Sequence, residues 1–174
     1  MRKIAVLLAS LVLGISAVFG QTTTWKVDPT HSKVLFNVTY MVLTEVTGRF
    51  KEFDAMLTNT KEDFTEGVVT ATIKAKSIDT DNEKRDNHLR SSDFFDAEKF
   101  PEITFTSKSI KKTGKDTYKV KGDLTIRDVT KTVEVDVRYF GQVKDPWGNT
   151  RTGFKATTSI NRNDFHVTWN KLLE

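Results

Sequence analysis

The sequence predicts an all-β fold of antiparallel strands, closed as a sandwich or a barrel. Three observations carry this. Apolar and polar residues alternate with period two in run after run, the pattern of strands with one buried face. Thr occurs 25 times and Val 17 times in 174 residues, and both are β-branched and favour extended backbone. Clusters of turn-forming residues separate the runs. Strands with one apolar face must bury it against other strands, and a sandwich or a barrel does so. Meander-like hairpins occur in both, so the pattern favours the barrel only weakly.

The elements follow in order along the chain. Arg2 and Lys3 precede Ile4 to Phe19, a stretch of 16 residues without a charge. Small residues follow, ending at Gly20, which is the plan of a cleaved secretory signal over 1–20. A membrane span needs about 20 apolar residues, and this run is shorter and contains Ser10, Gly14 and Ser16. The remaining 21–174 reads as one domain. Val34, Phe36, Val38 and Tyr40 share one face of a first strand. A run from Arg49 to Thr58 puts Phe53, Ala55 and Leu57 on one side, and Phe50 breaks the parity, which predicts a nearby bulge. Val69, Ala71, Ile73 and Ala75 line the next strand. The segment Asp81 to Ser91 is the one helical candidate, capped by Asp79, Thr80 or Asp81. Leu89 is its only apolar member, so it reads as a short surface helix or lid. Ile103, Phe105 and Ser107 line a strand after Pro101. Tyr118, Val120, Gly122, Leu124 and Ile126 form a long stripe, and Val133, Val135, Val137 and Tyr139 form its neighbour. Phe154, Ala156, Thr158 and Ile160 close the series. Turns are expected at Thr113–Asp116 and Asp145–Asn149.

Composition excludes several classes. The chain has no Cys, which removes disulfides, thiol catalysis, thiolate metal sites and a lipid-bearing cysteine. Loss of Arg2 and Lys3 lowers the net charge from +4 to +2, a weak footprint for nucleic acid. No second apolar run is long enough to span a membrane. The three histidines, His31, His88 and His166, show no familiar metal-ligand spacing. Ser32, His88 and Asp86 supply the residue types of a hydrolytic triad, but no nucleophile elbow accompanies them. Neither metal, cofactor nor catalytic site is expected. The lysines of 108–115 read as a solvated hairpin tip.

The inward positions mix large residues with small ones: Ala71, Ala75, Ser107, Gly122 and Ala156. Tapered barrels alternate sizes simply to pack. The alternative is a lumen lined by Phe, Tyr, Val and Ile that accepts one apolar guest.

Several segments, in order, resemble the YceI-like family. They are Trp25-Lys26-Val27-Asp28-Pro29-Thr30-His31-Ser32, Gly48 to Asp54, Ser77 to Thr80, Arg85 to Leu89, Asp93-Phe94-Phe95-Asp96, Phe100 to Phe105, Gly122 to Ile126 and Gly153 to Ala156. The resemblance covers about residues 24–171. It implies a periplasmic or secreted lipocalin-like antiparallel β-barrel with one short helix or lid. It also implies a binding role, for transport or storage, toward polyisoprenoids, isoprenoid phosphates or quinones, or fatty-acid-type lipids, rather than an enzyme; the alternatives are a lipid-modifying enzyme, or a structural or interaction barrel without a ligand. The expected lining is Val34, Phe36, Val38, Tyr40, Phe50, Phe53, Ala71, Ile73, Leu89, Phe94, Phe95, Phe105, Leu124, Phe154 and Ala156. His31, Arg49, Arg85, His88 and Arg90 are the head-group candidates, since Arg forks suit phosphate. The chain departs from the family at Tyr40, often His, and at His166, often Gly. Family members also continue past the Trp169-Asn170-Lys171 segment into a last strand, whereas this chain stops at Glu174. The expectation is either a fragment or a barrel with an unclosed edge. An exposed edge invites pairing with another chain, so a homodimer is the oligomer to look for.

Overall fold

The computed structural model describes residues 22–40 and 43–169. The expected signal peptide and its cleavage near Gly20 lie outside the described residues, and so does the side chain of Tyr40. Ten strands form: β1 (Thr23–Lys26), β2 (Val34–Tyr40), β3 (Thr44–Phe50), β4 (Phe53–Asn59), β5 (Val68–Lys74), β6 (Ile78–Asp79), β7 (Glu102–Lys112), β8 (Thr117–Ile126), β9 (Val129–Lys144) and β10 (Thr150–Thr157). One α-helix, α1 (Glu83–Arg90), follows β6. Seven strands form one antiparallel sheet in the order β1-β4-β5-β7-β8-β9-β10, which curls into half a barrel. Strands β2, β3 and β6 form a second sheet in the order β2-β3-β6.

Period-two alternation sets the register. On β8, Tyr118, Val120, Gly122 and Ile126 are buried and the lysines between them are exposed. Their partners on β9 are Val137, Val135, Val133 and Val129 in turn, so the two stripes face the same side. From Tyr118 to Ile126 the strand runs about 26 Å. A separate buried cluster gathers at each end of it. Phe50, Ile78, Ile103, Ile126, Phe165 and Val167 form one, and Phe64, Ile110, Tyr118 and Val120 form the other. The small sheet supplies Phe50 and Ile78 to the first cluster. The chain after β10 supplies Phe165 and Val167 and so covers that end. Its turn places His166 at φ 59°, in the left-handed region. A residue with a Cβ carries a steric penalty there that Gly would not.

Three expectations need correction. The run from Arg49 to Thr58 is not one bulged strand. Phe50 ends β3 in one sheet, and Phe53 begins β4 in the other, so the parity break marks a change of sheet. The helix is capped by Asn82, whose side chain accepts the Arg85 N–H at 2.9 Å, and not by residues 79–81. Three of the small inward residues leave no free space. Ala75 sits buried in a 3₁₀ turn. Ser107 accepts the Val69 N–H at 2.8 Å beside a bulge. Gly122 lies beneath the Phe105 ring, where a Cβ would meet it at 2.4 Å.

Candidate functional site

Between the two buried clusters the inner-face positions of the curled sheet are apolar, and this run is the candidate trough. Ala71 stands opposite Phe105, and Phe105 opposite Leu124. Phe53 pairs with Ile73, and Ala156 with Val137. Val34 and Phe36 on β2 pack from the small sheet, and Phe36 lies over Gly48, its direct cross-strand partner. Most of these side chains are only half-buried. Val38 is 46% exposed and Phe154 38%, and Ala156 is exposed as well. The expected lining thus separates into two groups. Phe50, Leu89, Phe94 and Phe95 belong to the packed end, with the Phe50 and Phe95 rings 5.9 Å apart, edge to face. Phe36 and Leu124 pack against that same cluster and Phe105 against the other, while Val38, Ala71, Phe154 and Ala156 make the more open stretch. Contiguous apolar surface facing water is costly at about 25 cal/mol per Å², and where it persists it marks a binding surface.

Phe64 closes the other end, and nothing in sequence periodicity pointed to it. It stands in the charged run Lys61 to Glu66, takes φ 61° and is 4% exposed. Its ring lies 6.4 Å from Tyr118, 5.4 Å from Tyr139 and 5.2 Å from Phe154, edge to face in each case. A lone aromatic residue inside a polar loop was the available signal. Beside it opens a cleft of about 620 Å³, whose lining includes Trp25, Asn59, Phe64, Tyr139 and Gln142. Trp25 Nε1–H donates to Asn59 Oδ1 at 3.1 Å, and Asn59 Nδ2 donates to the Lys61 carbonyl at 2.8 Å. Lys61 pairs with Glu66 at 2.6 Å. That hydrogen bond raises the Lys61 pKa and lowers that of Glu66.

The head-group candidates lie elsewhere, and most already have partners. Arg49 donates to Asp79 through Nε at 3.1 Å and Nη2 at 2.8 Å. This pair holds the Asp79 carboxyl down to about 2, chiefly through the Arg49 hydrogen bond. Arg85 Nε donates to Thr80 Oγ1 and its Nη2 to the Thr80 carbonyl, both at 2.7 Å. Arg90 donates to the carbonyls of Lys76 at 2.8 Å and Ile78 at 2.7 Å. These three guanidiniums pin the β6–α1 connection. A second cleft, about 500 Å³, lies beside Lys76, Asn87, Arg90 and Glu98, with Lys76 and Glu98 paired at 2.6 Å. His88 Nε2 is 2.9 Å from Asp93, and its ring meets Phe94 and Trp169 edge to face. Asp86 accepts from the Thr80 N–H and hydroxyl instead. The triad types Ser32, His88 and Asp86 are therefore not drawn together through Asp86.

His31 belongs to a different network. Its Nδ1 is 3.0 Å from Asp28 Oδ2, the atom that also accepts from Arg151 Nη1 at 2.8 Å. The His31 hydrogen bond is the largest influence lowering the Asp28 pKa. Arg151 is on β10 and Asp28 follows β1, so this network joins the two edge strands of the seven-stranded sheet.

The family model for the YceI-like domain matches residues 25–174. The chain belongs to the YceI-like family. It is 37% identical over 169 residues to Protein YceI of Escherichia coli, covering 96% of this chain and 88% of that one. It is 38% identical over 157 residues to a UPF0312 protein of Photorhabdus laumondii, covering 90% and 81%. Among solved structures, BcnA of Burkholderia cenocepacia matches at TM-score 0.73 with 29% identity, over 81% of this chain and 84% of that one. A polyisoprenoid binding domain from Saccharophagus degradans, implicated in plant cell wall breakdown, shares the fold at TM-score 0.54 and 17% identity, over 68% of each chain. The YceI-like fold thus accounts for the curled sheet and the single helix. No helix among the described residues is long and apolar enough to cross a membrane.

Proposed function

We propose that this YceI-like chain is an exported binding protein that holds one long-chain apolar molecule along its trough. The guest class is a polyisoprenoid, an isoprenoid phosphate or quinone, or a fatty-acid-type lipid. The observation that carries the reading is the apolar stretch between two buried ends, which includes the partly or fully exposed Val38, Ala71, Phe154 and Ala156 and is flanked by the partly buried Phe36, Phe105 and Leu124. Each CH₂ moved from water onto such a surface contributes about 0.8 kcal/mol before ordering costs. Tail length therefore supplies affinity, and trough shape supplies selectivity. The protein's part is to exclude water and hold the chain extended, with no bond made or broken.

The head goes to one end of the trough, and we assign it to the cleft beside Trp25, Asn59 and Tyr139. Two features support this. That cleft joins aromatic faces to amide and hydroxyl groups. Arg49, Arg85 and Arg90, at the helix end, already donate to Asp79, Thr80, Lys76 and Ile78. The periplasm is the compartment that the signal-like leader and the family suggest. The test is denaturing solvent extraction of the protein purified from its own host, followed by lipid mass spectrometry. A stoichiometric long-chain lipid is expected; protein of full fold with nothing co-extracted, and with no uptake of added lipid, would refute the reading.

A further inference from the structure

We propose that the β9–β10 turn is a membrane-docking tip that sets the mouth of the trough against an anionic lipid bilayer. This rests on the lipid-binding reading above and adds the surface from which the guest is taken. The β9–β10 hairpin outruns the neighbouring sheet. The last β8 partner on β9 is Arg138, opposite Thr117, and the hairpin continues from there to the turn at Asp145–Asn149. It bends at a bulge where Phe140 is the extra residue and Gly141 takes φ 103° opposite Gly153. Beyond the bend Gln142 lines the mouth cleft together with Trp25 and Tyr139. The tip therefore stands next to the opening.

The tip is built to hold an indole in solvent. Asp145, with its side chain 9% exposed, accepts hydrogen bonds from the Trp147 N–H at 3.0 Å, the Asn149 N–H at 2.8 Å and Arg151 Nε at 2.9 Å. One carboxylate thus fixes the whole turn, and Trp147 projects from it 81% exposed. Val143 and Phe140 on the same arm are 66% and 59% exposed. The Arg138 guanidinium lies 5.4 Å from the centre of the Phe140 ring, while Trp147 and Val143 belong to neither buried cluster. Trp is the residue suited to the headgroup region of a bilayer, with an apolar body and a polar N–H.

Charge favours the same partner. Lys144 and Arg138 on the arm make no ion pair among the described residues. The β7–β8 turn, joined to β9 by the Tyr139 N–H donating to the Asp116 carbonyl at 2.8 Å, adds Lys111, Lys112 and Lys115. Arg151 is shared between Asp145 and Asp28. An apolar anchor beside a basic patch is the two-signal arrangement that gives stable but reversible attachment to anionic lipid. Of the acidic residues on the β4–β5 loop, Glu62 lines the cleft, Glu66 is paired with Lys61, and Asp63 feels the charge of Lys112.

The experiment is vesicle co-sedimentation of the full chain, on phosphatidylcholine alone and on phosphatidylcholine mixed with phosphatidylglycerol, with Trp emission read in parallel. The wild type should partition onto the mixed vesicles with a blue-shifted emission. Trp147→Ala should lower that partition about tenfold, the loss expected when one large apolar side chain no longer leaves water. Lys144→Gln and Lys115→Gln should each lower it about fivefold on anionic vesicles only. All three positions are exposed, so unchanged thermal midpoints serve as the folding control. No partition by the wild type, or equal partition by Trp147→Ala, overturns the proposal. So does a dimer without vesicles that Trp147→Ala dissociates, because the tip would then serve a second copy. Uptake of a soluble fatty-acyl probe without vesicles tests the guest reading separately. A chain that takes the probe but ignores vesicles defeats the docking alone. A chain that docks but never takes the probe defeats the guest reading.

Discussion

At the scale of single residues, the two glycines beneath aromatic rings separate cheap from costly crowding. A Cβ on Gly48 would come within 2.2 Å of the far edge of the half-buried Phe36 ring, and all three of its nearest atoms belong to that side chain rather than to backbone. A Cβ on Gly122 would meet the Thr106 backbone carbonyl at 2.6 Å as well as the Phe105 ring at 2.4 Å. Backbone inside a paired ladder cannot yield as a ring can. Gly122→Ala should therefore destabilise by about 1–3 kcal/mol, as overpacking does, and Gly48→Ala by clearly less; urea unfolding of both variants checks the order. The Arg49–Asp79 pair makes a second residue-level claim. The Asp79 pKa in the folded chain is about 2, below the ordinary 3.8. A carboxyl depressed in this way contributes stability that is fully present above its unfolded value and is lost as pH falls toward 2. Asp79→Asn should remove part of the decline in thermal midpoint between pH 5 and pH 2, and both proteins should converge at the acid end. A decline of identical shape in the two would count against the pair.

At the scale of elements, α1 is a strap rather than a core helix. Asp86 is its one buried residue, and it accepts the Thr80 N–H at 2.9 Å as well as the Thr80 hydroxyl. Asp86→Ala leaves two donors on Thr80, itself 5% exposed, without a partner. The expected cost is about 2 kcal/mol, with faster amide exchange over residues 79–90; exchange unchanged there would show that the guanidiniums of Arg85 and Arg90 suffice alone. The sequence made this element visible as a helix but not as a strap. Its charges read as a solvated face, and only the fold shows Arg85 and Arg90 turned back onto the carbonyls of 76–80. The strands were legible because alternation is a local property: the stripes of β8 and β9 are present as read. The change of sheet at Lys51–Glu52 was not legible, because both halves alternate and only long-range pairing assigns them to different sheets. Phe64, Phe165 and Val167 escaped for a related reason. Each plugs an end of the half-barrel from a loop or a short turn, where no periodicity announces burial.

At the scale of the whole molecule, the trough poses a question that Ala71 can answer. It sits on the interior strand β5, half-buried, between Ala55 on β4 and Phe105 on β7. If apolar side chains of this chain already filled the space above it, Ala71→Phe would overpack the interior and cost about 1–3 kcal/mol. If that space is kept for a guest, the new ring occupies the guest's place, and the free protein loses little or even gains from added burial. The two cases also differ in their response to lipid. A ligand at about 100 times its Kd stabilises the folded state by about 2.7 kcal/mol. For a domain of about 150 residues that raises the thermal midpoint by about 5–11 °C. The wild type should show this rise with a long-chain lipid, and the rise should grow with chain length until the trough, at most about 20 Å along β8 between Val120 and Ile126, is filled. Ala71→Phe should begin with a midpoint close to the wild type's and show little rise. Ala156→Phe, at the exposed edge on β10, should lose less of the response, because a guest can pass beside it. A large drop in the Ala71→Phe midpoint combined with an undiminished lipid response would mean that the half-barrel is packed by its own side chains and that the lipid binds somewhere else.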